Sequence, residues 1–204
     1  MRDAEFFRRW MAAAAASVER EADRLTELDS PIGDADHGSN LLRGFTAVLA
    51  ALEAEPTAAA PGAVLQLAGR TLISTVGGAS GPLYGTLLRR TGKVLGESAE
   101  VSDAELREAL SEGVGAVARL GGAAPGDKTM LDALVPGVDA LGTSYPAAAI
   151  AAENGALATV PMRARKGRAS YLGERSIGHQ DPGATSSALL LGALTDVAEP
   201  EGAR

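Results

Sequence analysis

An all-α fold is what this sequence predicts, and three features carry the prediction. Alanine, the residue of highest helix propensity, supplies 41 of the 204 residues. Aromatic residues make up only 3%, and β-branched residues are sparse, so the side chains that strands favour are scarce. Apolar residues recur at helical spacing in eight segments separated by glycine and proline.

The first helix is expected over 2–28, with Phe7, Trp10, Met11, Ala14, Val18, Leu25 and Leu28 on or near one stripe. A polar break over 29–38 precedes a second helix over 39–54, which ends before Pro56. A third, 62–75, runs into Gly77-Gly78. A fourth starts near Pro82, a residue suited to a first turn, and closes near Gly96. The fifth has the clearest start: Ser102 and Glu105 stand at capping-box spacing. Leu106, Leu110, Val114, Val117 and Leu120 follow at helical intervals until Gly121-Gly122. A sixth is expected over 128–142. A seventh over 146–165 contains Asn154-Gly155 and Pro161, which predict a break in it. The eighth covers 184–198, ahead of a polar tail, 199–204, expected to be disordered. Connections are short except 29–38 and 166–183, so successive helices should pack as antiparallel neighbours.

A chain of 204 residues fits one domain, 1–204, able to bury its own core. With no cysteine, thiol chemistry, disulfides and sulfur-bound zinc are excluded. There are 19 Lys and Arg against 26 Asp and Glu, a net charge of −7, which argues against a general grip on nucleic acid or anionic membrane. No apolar run is long enough to span a bilayer and no signal peptide opens the chain, so the expected address is the cytoplasm.

Polar chemistry gathers in the two long connections, which also hold both histidines, His37 and His179. The first contains Asp29, Asp34 and Asp36 on a segment bent by Pro31, Gly33 and Gly38. Carboxylates packed together repel unless a cation neutralises them, and hard oxygen donors suit Mg²⁺ or Ca²⁺. The spacing fails as an EF-hand, because Asn40 or Phe45 falls where a bidentate Glu belongs. Mg²⁺ shared with a phosphate fits better; an acidic capping loop is the alternative. Gly38-Ser39-Asn40 then opens a helix, where free N–H groups and the positive dipole end attract anions.

Three further stretches suit a nucleotide. Gly77-Gly78-Ala79-Ser80-Gly81 offers close backbone approach and a hydroxyl, or else a tight packing turn between helices. Gly121 to Thr129 nearly spells a Walker A loop, but Asp127 intrudes before Lys128 and a helix rather than a strand precedes it. It can still edge a pocket; otherwise Asp127 is a cap. Residues 163–175 carry five positive charges and one negative. Their guanidinium forks, Arg168 among them, suit phosphate oxygens, though a solvated surface loop would read alike. Asp181-Pro182-Gly183 is a natural helix entry. A nucleoside diphosphate at about −3 beside three carboxylates leaves about −4 with one dication and about −2 with two, which favours two metals.

Four motifs in order resemble the nucleotide-binding L subunits of dihydroxyacetone kinase. They are Asp29 to Asn40 with Arg43-Gly44-Phe45, Val76 to Leu83, Pro125 to Met130, and Ala164 to Thr185. The resemblance implies an eight-helix antiparallel up-and-down barrel with the nucleotide at one end. It implies Asp29, Asp34 and Asp36 as ligands of two Mg²⁺ bridging the phosphates of ADP or ATP. His37, Asn40, Ala79, Ser80, Gly121, Met130, Arg168 and Gly183 match nucleotide contacts. Gly38, Ser39, Gly78, Thr129 and Asp181 complete the candidate nucleotide site, and Arg168 and His37 are the candidate catalytic residues. The family mechanism implies phosphoryl transfer to dihydroxyacetone held on a separate K subunit, with rephosphorylation by a phosphohistidine M subunit of the phosphotransferase system. A one-domain chain leans to that branch. No second polar constellation offers a place for the acceptor sugar, so a partner should bring it, with 163–175 as docking or lid element. The alternatives are an ATP-dependent two-subunit kinase for a ketose such as erythrulose, a non-catalytic ADP-sensing regulator, and a helical scaffold with a vestigial site. A homodimer is left open.

Overall fold

Eight α-helices hold almost all of the regular structure in the computed structural model, which describes residues 1–56 and 60–199. They are α1 Ala4–Asp29, α2 His37–Ala54, α3 Pro61–Thr75, α4 Ser80–Leu95, α5 Asp103–Gly121, α6 Leu131–Ala140, α7 Tyr145–Ala158 and α8 Pro182–Ala198. A 3₁₀ stretch, Arg168–Ser176, lies within the second long connection. Each helix packs on the next, and α8 returns to α1, closing the ring. Trp10, fully buried on α1, seals that closure by donating its indole N–H to the Leu190 carbonyl of α8 at 2.9 Å. One apolar core draws residues from all eight helices.

The start signals read from the sequence operate as expected in α5 and α8. Ser102 accepts the Glu105 amide while the Glu105 carboxylate takes the Ser102 amide, a full capping box. Asp181 caps α8 by accepting the Ala184 N–H at 2.7 Å. Two helices are shorter than expected. α6 runs from Leu131 to Ala140 rather than over 128–142, because Gly126 and Lys128 take left-handed backbone. α7 ends at Ala158, short of the expected 165 and ahead of Pro161. Asn154-Gly155 does not break it. Gly155 is where α7 crosses α6, and a Cβ there would run into the Asp132 carbonyl oxygen. A two-residue antiparallel pairing, β1 Arg2–Asp3 with β2 Glu100–Val101, was not expected. The tail beyond Glu199 lies outside the described residues.

The alternation of direction has one consequence for chemistry. α2, α4, α6 and α8 all begin at the same end of the ring, where α1, α3, α5 and α7 finish. Four positive dipole ends with their free N–H groups therefore collect around one mouth.

Candidate functional site

Asp29 is the last residue of α1, buried against the start of α2. Its Oδ2 accepts the N–H groups of Asp36 at 3.0 Å and His37 at 3.3 Å. These are two of the amides that the first turn of α2 leaves unbonded, so a carboxylate from one helix caps the next. Between the other two aspartates, Ala35 has φ +58°. A residue with a Cβ reaches that region only where its surroundings enforce it. The result brings Asp29, Asp34 and Asp36 together: one carboxylate oxygen from each lies within 4.8 Å of the others. Arg168 answers one of the three charges, its Nη2 standing 3.0 Å from Asp34 Oδ2. An anionic, all-oxygen donor set of this kind suits a hard dication.

His37 is the first residue of α2 and is buried. Its Nε2 lies 2.9 Å from Ser186 Oγ and its Nδ1 3.2 Å from Ser80 Oγ, so one ring joins the starts of α2, α4 and α8. Ser186 can donate to the Pro182 carbonyl at 3.0 Å. It then receives the His37 Nε2–H, leaving Nδ1 to accept the Ser80 hydroxyl. Burial pulls the pKa of His37 below its ordinary value, against the opposing pull of Asp29 and Asp36. Tyr84 closes the network, its hydroxyl 2.6 Å from Ser186 Oγ and 2.9 Å from Ser187 Oγ, and burial pushes its pKa up to about 12.

A cavity of about 400 Å³ opens between these groups. Of the sequence-predicted residues, Asp29, Asp34, His37, Gly78, Ala79, Ser80, Gly121, Thr129, Met130, Arg168, Asp181 and Gly183 line it. The remaining four are not among its lining residues. Asp36 belongs to the acidic trio. Ser39 donates to the Asp36 carbonyl at 3.0 Å, and Asn40 Oδ1 accepts from Arg43 at 2.7 Å. Gly38 lets α2 lie on α1, where a Cβ would strike the Ala22 carbonyl. His179 is not among the lining residues.

The Walker-like turn works differently from its spelling. Asp127 accepts the Ala124 N–H at 2.9 Å, closing its own turn rather than capping α6. Asp132 organises the stretch instead, its carboxylate accepting Gly126 N–H at 2.5 Å and Thr129 N–H at 2.7 Å. Lys128 is buried, donating to the carbonyls of Met162 and Ser176. Asp181, half-buried in the cavity lining, has its pKa raised to about 7, chiefly by desolvation, with Asp132 and Asp29 adding and the Ala184 N–H and Lys128 opposing.

Sequence reasoning missed the apolar wall made by Ile32, Leu83, Val117, Leu120 and Ala123. One signal was available: Leu120 continues the core stripe of α5 next to a glycine, yet it is 55% exposed and faces the cavity.

The fold and this mouth define an all-helical barrel whose polar chemistry is concentrated at one end. The DAK2 domain profile matches residues 31–196. Over 187 residues the chain is 46% identical to the PEP-dependent dihydroxyacetone kinase, ADP-binding subunit DhaL, of Escherichia coli (strain K12), covering 87% of this chain and 89% of that one. It is 41% identical over 204 residues to the PEP-dependent dihydroxyacetone kinase 2, ADP-binding subunit DhaL, of Listeria innocua, covering 95% and 94%. It is also 39% identical over 197 residues to the D-erythrulose kinase of Mycolicibacterium smegmatis, covering 91% of this chain and 33% of that one. A crystal structure of the dihydroxyacetone kinase from C. freundii in complex with AMP-PNP and Mg²⁺ aligns with a TM-score of 0.75 at 27% identity, covering 93% of this chain and 33% of that one. The chain belongs to the DAK2 domain family, among whose members are these kinase subunits.

Proposed function

We propose that this chain is the nucleotide-carrying subunit of a dihydroxyacetone kinase. It holds ADP or ATP at the barrel mouth and passes the terminal phosphoryl group to dihydroxyacetone bound on a separate K subunit. A phosphohistidine M subunit of the phosphotransferase system then restores the bound nucleotide. The cytoplasm, where nucleotides and such donors are held, is the proposed address. Among the described residues no helix is long and apolar enough to cross a membrane.

The observation that carries this reading is the placement of the acidic trio beside four helix N-termini across one cavity. That pairs a site for cations with a site for phosphate oxygens. Two Mg²⁺ ions, held by Asp29, Asp34 and Asp36, would neutralise phosphate charge and polarise the transferring group. The chain supplies the rest. Amides of the Gly78–Ser80 turn and the Ser80 hydroxyl bind phosphate oxygens. The apolar wall with Met130 shelters a flat base from water. His37 keeps its ring neutral and holds Ser80 in register across the helix starts. Arg168 swings from Asp34 to the transferring phosphoryl group, where its guanidinium stabilises developing negative charge. The basic segment 163–175 offers the docking face for the partner that brings the sugar.

The names DhaL and PEP-dependent among the similar proteins favour an ADP that stays bound. The similarity to D-erythrulose kinase favours a second reading, ATP-dependent phosphorylation of a related ketose. One experiment tests the proposal and separates the readings. Purified protein is denatured and the released nucleotide identified, and the intact protein is mixed with K subunit, ketose and either ATP or the M-subunit chain. Retained ADP with M-dependent turnover is expected. Empty protein turning over ATP supports the second reading, and no transfer from either donor overturns both.

A further inference from the structure

Lys128 is 1% exposed and has no carboxylate within ion-pair distance among the described residues. Its Nζ donates to the Met162 carbonyl at 3.1 Å and the Ser176 carbonyl at 2.6 Å. Those carbonyls stand at the two ends of the 163–175 segment. The same junction is tied by Arg165 N–H to the Asp127 carbonyl, Gly178 N–H to the Val160 carbonyl, and Ala164 N–H to Ser176 Oγ. The buried ammonium thus sits at the centre of a seam across the loop's base. It does so at φ +63°, a strained backbone for lysine. Burying an ammonium against neutral carbonyls is also unfavourable, and an aliphatic side chain of similar length would fill the space without that penalty. Strain and desolvation are concentrated under the one loop that carries Arg168 to the acidic trio.

We propose that Lys128 is a positioning residue: it clamps the base of the 163–175 loop and thereby holds Arg168 over the cavity. Lys128 also lines the cavity, but its ammonium is turned to the two carbonyls at the loop base, so it acts on the loop rather than on the bundle and on a bound phosphate through Arg168. The functional half of this inference rests on the nucleotide reading of the mouth; the clamp itself does not.

The test uses the full chain with Lys128→Met, and Lys128→Gln, one atom shorter but still a donor, should the first not fold. Hydrogen exchange on ligand-free protein reads the clamp. The Arg165 and Gly178 amides should exchange about tenfold faster while α1 to α5 keep their protection. Release of a fluorescent ADP with Mg²⁺ reads the function. It should quicken about tenfold in Lys128→Met, but by less than about twofold when Arg168→Ala is already present. Unchanged exchange at the seam, loss of protection spread evenly over the helices, or effects of the two substitutions that simply add would each overturn the proposal. Faster exchange at the seam in a protein whose wild type binds no ADP would uphold the clamp and sink the nucleotide reading instead.

Discussion

Arg168 bridges the mouth to Asp34, with Nη2 3.0 Å from the carboxylate and 67% of its side chain still open to solvent. A pair this exposed contributes about 0–1 kcal/mol to stability. Arg168→Ala should therefore leave the melting temperature nearly unchanged. Reconstituted phosphoryl transfer should fall by about 10²-fold or more, the scale for removing a charge-stabilising donor. Normal turnover by the variant would contradict the role given to this guanidinium.

Two of the three aspartates should respond in opposite directions in metal-free buffer. Asp29→Ala strips the acceptor from the Asp36 and His37 amides. Leaving such groups unsatisfied costs about 1–3 kcal/mol. Asp36→Ala removes a neighbouring like charge and no side-chain cap of α2, so in EDTA it should melt at or above the wild-type temperature. With Mg²⁺ and ADP both variants should lose the ligand-induced rise in melting temperature. Thermal melts with and without Mg²⁺ decide it, and an Asp36→Ala protein with an undiminished ligand shift would count against the trio.

Asp181 sets a pH dependence. Its carboxyl titrates at about 7 in the folded chain against an ordinary 3.8. A folded pKa raised above the unfolded value gives stability that is fully present below about pH 4 and drains away as pH rises through about 7. Asp181→Asn preserves a capping side chain but cannot ionise. In ligand-free protein, wild type should lose stability relative to Asp181→Asn between pH 4 and pH 7. Denaturant melts across that range measure the difference, and parallel curves would refute the shift.

Gly155 couples packing to the site. A Cβ there meets the Asp132 carbonyl, and Asp132 holds the turn before Thr129 and Met130 through two amides. Gly155→Ala should destabilise the fold by about 1–3 kcal/mol and weaken ADP binding as well. Loss of stability with unaltered ADP affinity would break the proposed link.

What could be read from the chain, and what could not, divides by range. Asp29, Asp34 and Asp36 fall within eight residues, so their meeting is nearly a local property, and only the Ala35 kink completes it. Ser102 and Glu105 bond as their spacing predicts. In α7 the break expected at Asn154-Gly155 does not occur, because Gly155 serves the contact with α6, while Pro161, the other expected breaker, stands just past the helix end. Lys128 resisted prediction because its partners lie 34 and 48 residues away, and both are backbone carbonyls that carry no side-chain signature. Ser186 and Ser187, consecutive buried hydroxyls on α8, were visible as polar residues in an apolar helix. Nothing local pairs them with Tyr84 and His37.

Calorimetric titration of ADP into the wild-type protein, first stripped of any bound nucleotide, once with Mg²⁺ and once with EDTA, reaches the centre of the account. Dications gripped by the aspartates should make the diphosphate bind about 100-fold more tightly, or more, when Mg²⁺ is present. Equal affinity in the two buffers would mean that the carboxylates do not anchor the nucleotide through metal, and the phosphoryl-transfer reading of this mouth would fall with them.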